Sequence, residues 1–271
     1  MAHPVRKILS FLTIMTALTT ITAVYTFLIP PSQADEKCTT FSGNGINNWY
    51  PFSYRNSEGK LTGIVVDGTH EALKRIGLSL EIAPDKPWKR IMYDLEQGRL
   101  DMVLGAYWNA ERATKYYYSE QLGTDELRVF VKDGKQFSLT SPEDLIGRSG
   151  MRLLGGSLGD EFDIFAKQHL NFMEVPKSDS IVVMLQNNRA DYGILGYVEG
   201  LQHIHALNMQ GKIIPLSMPI LSNSMHVLIN KSASCSHRVK DLNTTIIDMQ
   251  KDGTMEKIIS RHLSLITRAS K

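Results

Sequence analysis

Apolar positions along the chain fall into two alternating periods. Val66, Thr69, Leu73 and Ile76 recur at helical spacing and stop at Gly77, a residue suited to a helix C-terminus. Leu78, Leu80 and Ile82 then alternate as a strand. Trp88, Ile91, Met92 and Leu95 mark a second helix ending at Gly98, and Leu100 to Leu104 reads as a short buried strand. Helix and strand in close succession predict a parallel sheet covered by helices.

The second half repeats this plan. Arg148 to Leu154 predicts a strand, Phe162, Phe165, Ala166 and Leu170 a helix face, and Phe172 to Val175 another strand. Ile181, Met184 and Leu185 follow as a helix, then Tyr192 to Leu195 as a strand. The run Leu95-Glu-Gln-Gly-Arg-Leu-Asp101 has the spacing of Leu185-Gln-Asn-Asn-Arg-Ala-Asp191. Each run has a helix end, a turn, an arginine, and an aspartate opening an apolar strand. Two similar α/β lobes are the expectation. Met225 to Ile229 predicts a strand; Val239, Leu242, Ile246 and Met249 predict a helix. A shorter helix runs through Ile258, Ile259 and Leu263. With Leu127 to Val131 leading out of the first lobe and Met225 to Ile229 leading back, two strands would join the lobes as a hinge.

The first 34 residues stand apart. Arg6 and Lys7 precede an uncharged, largely apolar stretch from Ile8 to Ile29, then Pro30, Pro31 and Ser32-Gln33-Ala34. That is the order of a secretory signal, with cleavage expected after Ala34. The stretch is nearly long enough for a retained membrane anchor, the alternative reading. The chain has 30 basic and 28 acidic residues, and the signal accounts for the excess. A balanced remainder gives no long-range attraction for nucleic acid. Cys38 and Cys235 would be exported together; they are read either as a disulfide or as two separate buried thiols.

Further phrases carry a resemblance. Trp49-Tyr-Pro-Phe-Ser-Tyr54, Gly59-Lys-Leu-Thr-Gly63 and Asp67 are followed by Leu95-x-x-Gly98-x-x-Asp101, Ala110-Glu-Arg112 and Tyr118-Ser119. Glu143-Asp-Leu-Ile-Gly147, Gly155-Gly-Ser157, Arg189-Ala-Asp191 and Asp252-Gly-Thr254 come later. In this order, from about Thr39 to Leu263, the chain resembles the periplasmic solute-binding proteins of family 3, the amino-acid-type binders that feed ABC importers. The resemblance implies an α/β, two-lobed fold of the periplasmic-binding-protein type II kind: mixed or parallel sheets, helices on both faces, a two-strand hinge. It places lobe one at residues 35–127 and 230–271, and lobe two at 128–229.

It also implies a site in the cleft. Arg112 matches the arginine that grips the ligand's carboxylate, a task suited to a planar guanidinium. The alternative is an exposed arginine pairing with Glu111 or Glu120. Trp49 and Trp88 match residues that pack on the ligand, with ordinary core packing as the alternative. Gly156 and Ser157 match a helix start where free N–H groups favour an anion. Tyr197 would close from the second lobe. The family's aspartate for the ligand's amino group falls at Gly196, so that clamp is lost or moved, with Glu199 as the candidate. Tyr107 and Trp108 would make the pocket unusually aromatic, and Arg90 is a second basic candidate or a solvated surface charge. The expected protein is a periplasmic monomer without cofactor that closes on a carboxylate-bearing, amino-acid-like or aromatic solute and presents it to an ABC permease.

Three rivals remain in view. Gly155-Gly-Ser157-Leu-Gly159 fits a hydrolase nucleophile elbow, with Asp191 and then His203, His226 or His262 in triad order. A hydrolase, however, builds one continuous sheet around its elbow, which the repeated half speaks against. A dehydratase of a cyclic carboxylate would need a cleft acid, for which Asp160, Glu161 and Glu199 are candidates. The third is a sensing module that reports to a membrane partner. His203-x-His205 is a poor metal pair on a helix.

Overall fold

The first β-α-β unit builds a parallel half-sheet. In the computed structural model, which describes residues 38–269 and side chains as far as Ser264, β1 (Thr40–Asn44) leads through β2 (Asn48–Trp49), β3 (Ser53–Arg55) and β4 (Leu61–Thr62) into helix α1 (Ile64–Arg75). Then come β5 (Ser79–Ile82), α2 (Trp88–Glu96) and β6 (Met102–Tyr107). β1 pairs in parallel with β5 on one side and β6 on the other. Strands β2 to β4 form a separate antiparallel ribbon that carries Trp49.

The chain next makes α3 (Ala110–Lys115), β7 (Tyr116–Tyr118) and the long β8 (Gly123–Lys132). β9 (Ser149–Leu153), α4 (Asp160–His169), β10 (Asn171–Val175), α5 (Asp179–Gln186), β11 (Tyr192–Gly196) and α6 (Tyr197–Ala206) form the second unit. Here β9 lies in parallel between β10 and β11, as β1 lies between β5 and β6. The 18-residue β12 (Ile213–Asn230), α7 (Val239–Lys251) and α8 (Thr254–Ala269) complete the chain.

The repeated heptapeptide marks a repeated joint. Arg99 N–H returns to the Asp94 carbonyl at 2.9 Å, and Arg189 N–H to that of Met184 at 3.0 Å. These bonds close each helix end around Gly98 and Asn188, both at positive φ. The following aspartates then clamp the neighbouring strand alike. Asp101 Oδ2 accepts from the Ser42 N–H and hydroxyl at 2.8 Å each, and Asp191 Oδ2 from the Ser149 N–H and hydroxyl at 2.8 Å each.

The fold is two-lobed. Hydrogen bonds link eight strands of the main sheet in one path, with β7 paired to β12 off that path, and continuity between the halves rests on β8 and β12. These two run antiparallel from Gly123 opposite Met225 to Lys132 opposite Ile213, with irregularities around Pro219. β12 pairs with β6 through Met225–Ile229, so that segment already belongs to the first half. One buried apolar cluster holds Leu73, Ile246 and Met249 of the first half and extends to Phe162 and Tyr192 of the second, and another holds Phe130, Ile181 and Leu185.

Cys38 and Cys235 form a disulfide with Cα atoms 5.1 Å apart, joining positions 197 residues apart. The expected signal segment, 1–34, lies outside the described residues. Among those described, no helix is long and apolar enough to cross a membrane.

Candidate functional site

The cleft between the halves encloses a cavity lined from both sides. Trp49, Trp88, Tyr107 and Arg112 come from the first lobe, with Gly156, Ser157, Gly196 and Glu199 from the second. Trp49 and Tyr107 meet edge to face, ring centres 5.2 Å apart. Trp88 opens α2, and its indole N–H reaches across the cleft to the Gly155 carbonyl at 3.0 Å.

Arg112 sits on α3, a helix capped by the Asn109 side chain, which accepts the Arg112 N–H at 3.1 Å. Its guanidinium lies 5.5 Å from the Trp88 ring centre and 3.5 Å from the Gly155 carbonyl. It has no carboxylate partner among the described residues. Glu111, one alternative partner in the sequence, pairs with Lys115 at 3.0 Å. A second arginine of the lining, Arg152, is by contrast neutralised by Glu174 at 3.0 Å and Asp163 at 3.4 Å.

Three expected residues lie away from the cavity. Trp108 follows the last residue of β6 and is 48% exposed. Arg90 is about 200° round the helix from Trp88, where it lies 3.6 Å from Asp94 and covers Tyr93. Tyr197 packs under the Arg128 guanidinium, 4.0 Å from it.

Gly156 and Ser157 line the cavity but do not offer a free helix start. Helix α4 begins at Asp160. The Ser157 hydroxyl donates to Asp163, whose other oxygen accepts the Leu158 N–H at 3.1 Å. The Gly159 N–H is taken by Ser157 Oγ at 3.2 Å. An acidic side chain of the helix itself therefore fills the anion-favouring position.

The elbow motif does not assemble a triad. His203 lies against Ser178 and Glu199, His226 against Ser119 and Ser224, and His262 against Asp67 and Tyr54. Asp191 is held by Ser149. Among the described residues no three histidine, cysteine or acidic side chains gather as a metal site.

Asp125 was hidden in the sequence by its place at the start of an apolar run. It shares a face with Leu127 and Val129, and all three are buried. That alternation was its signal. Its carboxylate accepts the Tyr107 hydroxyl at 2.6 Å and the Trp49 indole N–H at 3.3 Å. Burial, with Glu199 and Glu126 nearby, raises its pKa to about 7, although both hydrogen bonds oppose the rise. Burial and the same carboxylate push the Tyr107 hydroxyl well above its ordinary range.

A model of the bacterial extracellular solute-binding proteins, family 3, matches residues 45–264. The chain belongs to that family. It is 24% identical over 216 residues to the L-cystine-binding protein TcyJ of Escherichia coli K12, covering 79% of each chain. In structure it is similar to a histidine kinase sensor domain with similarity to periplasmic binding proteins, at TM-score 0.73 and 18% identity over 83% of this chain and 96% of that one. An ancestral arginine-binding protein bound to arginine gives TM-score 0.70 and 22% identity, over 82% and 97%. Family membership supports a solute-binding role and the fold named above.

Proposed function

We propose that this protein is a periplasmic capture device for a small amino-acid-like solute, which it encloses between two lobes and delivers to an ABC permease. The observation that carries the reading is a cleft cavity with an unneutralised guanidinium, Arg112, among aromatic walls and with an acid, Glu199, in the same lining. A carboxylate entering the first lobe would meet Arg112 in the cleft, where a charge-assisted pair is stronger than a neutral one. Trp49 and Trp88 would pack on the rest of the solute. The second lobe would then close over it by bending β8 and β12, so that ligand shifts an open–closed equilibrium.

The lobe limits of this reading follow the strand pairing: residues 38 to about 124 with about 225 to the C-terminal helices, and the intervening segment as lobe two. TcyJ is named for L-cystine and the ancestral protein is bound to arginine, so amino acids head the panel of solutes. A thermal-shift screen of residues 35–271 against L-cystine, L-arginine, L-glutamine and aromatic acids tests it. A bound cleft ligand raises the melting temperature with concentration. A flat response to the whole panel would overturn the reading.

A further inference from the structure

We propose that Tyr118 is a positioning residue of the binding site: its hydroxyl sets the orientation of the Arg112 guanidinium, and so sharpens the preference of the cleft for solutes with a free carboxylate. The inference rests on Arg112 as the carboxylate's partner, proposed above.

Arg112 sits on a helix of only six residues, α3, none of them buried. So short a helix is marginal by itself and has no buried face to seat it, so its place depends on polar ties at its ends. At the C-terminal end the Lys231 ammonium donates to the Thr114 carbonyl at 2.7 Å. At the N-terminal end Asp160 binds Asn109 and Ala110, but from the second lobe, so that tie depends on closure. Tyr118 supplies the tie that lies wholly within the first lobe. Its hydroxyl accepts the N–H of Asn109, the residue that caps α3, at 3.1 Å. It donates to the carbonyl of Tyr107, a wall of the cavity, at 3.2 Å. One oxygen thus pins the helix start to the end of β6.

The ring that carries this oxygen is itself held. Tyr118 stands on β7 opposite Leu228 of β12, and the His226 ring meets it edge to face, centres 5.6 Å apart. A hydroxyl has one hydrogen to give and two lone pairs. Tyr107 takes the hydrogen and Asn109 one lone pair, which leaves the second for another donor. Arg112 is the charged donor beside it. Burial pushes the Tyr118 hydroxyl up to about 12, while the Arg112 charge and a side-chain hydrogen bond from it oppose that rise. A guanidinium carries its donors in one plane, so holding one edge fixes where the other points. The Trp88 ring, 5.5 Å away, and the Gly155 carbonyl restrict it further. A solute's carboxylate would then meet a fork already aligned, without the cost of ordering it. Tyr118 is not a wall of the cavity, so it acts through Arg112.

The experiment measures the affinity of L-cystine, L-arginine and L-glutamine, each beside its α-carboxamide, for wild type, Tyr118→Phe, Arg112→Ala and the double variant. Wild type should prefer the acid roughly a hundredfold, through the charge-assisted pair with Arg112. Tyr118→Phe should lose about tenfold on the acid, the scale of one hydrogen bond to a charged group, and little on the amide. In the Arg112→Ala background the same change should cost nothing further. A merely structural hydroxyl would weaken acid and amide alike. Equal losses on both, no loss on either, or an undiminished loss in the Arg112→Ala background would overturn the inference and leave the cleft reading standing. If Tyr118→Phe does not unfold cooperatively, 3-fluorotyrosine placed at position 118 decides. Its fluorine resonance should shift when the acid saturates the site and stay with the amide; a resonance that ignores the acid would overturn the inference. Binding of none of these solutes by wild type would overturn both.

Discussion

The carboxylate of Asp160, at the start of α4, holds Asn109 across the cleft: it accepts that side-chain amide at 2.7 Å and the adjoining Ala110 N–H at 2.7 Å. With the Trp88–Gly155 bond, this contact fastens the second lobe onto the helix that carries Arg112. These bonds join residues of the two lobes, so they bear on the angle between them.

Asp160→Ala should shift the protein toward open forms. A charge-assisted hydrogen bond contributes about 1.5–3 kcal/mol when shielded, and less at a partly exposed mouth. Ligand affinity should fall roughly tenfold, and small-angle scattering of the ligand-free variant should give a larger radius of gyration. Unchanged scattering and affinity would show that the contact does not bias closure.

The disulfide ties the N-terminus of the first strand to the segment before α7, and Cys235 is buried. A cross-link over 197 residues restricts the unfolded chain by roughly 5 kcal/mol in the chain-entropy model. Replacing both cysteines by serine should therefore lower the urea midpoint strongly, and the wild type should show no thiol to a colorimetric reagent under denaturing conditions.

Asp125 should cost stability at neutral pH. Its folded-state pKa, about 7, stands above the ordinary carboxylate value, so the folded state binds the extra proton. Stability from this group is fully present below pH 4 and declines as pH rises to about 7. Asp125→Asn should therefore melt higher than wild type at pH 8, by roughly a few kcal/mol, with the gap narrowing toward pH 4.5. A gap that widens on acidification would contradict the assignment.

Much of this was legible in the sequence because it is local. Helical and strand periods located the elements, and the matched runs ending at Asp101 and Asp191 announced two joints with the same Ser–Asp clamp. What was not legible depends on phase or on distant pairing. Trp108 and Arg90 belong to the right segments, but one lies just past the end of β6 and the other two helix residues beyond Trp88. Asp125 comes against Gly196, a wall of the cavity, because β8 pairs with β11. No single stretch of sequence contains that juxtaposition. The pairing of β12 with β6 is likewise a property of the assembled sheet.

The most direct test of the central claim is titration calorimetry of residues 35–271 with whichever amino acid gives the largest thermal shift, on wild type and on Arg112→Ala. The account predicts one site per chain in the wild type. Loss of the guanidinium opposite a desolvated carboxylate should weaken it by several kcal/mol. An affinity that survives Arg112→Ala unchanged would contradict it.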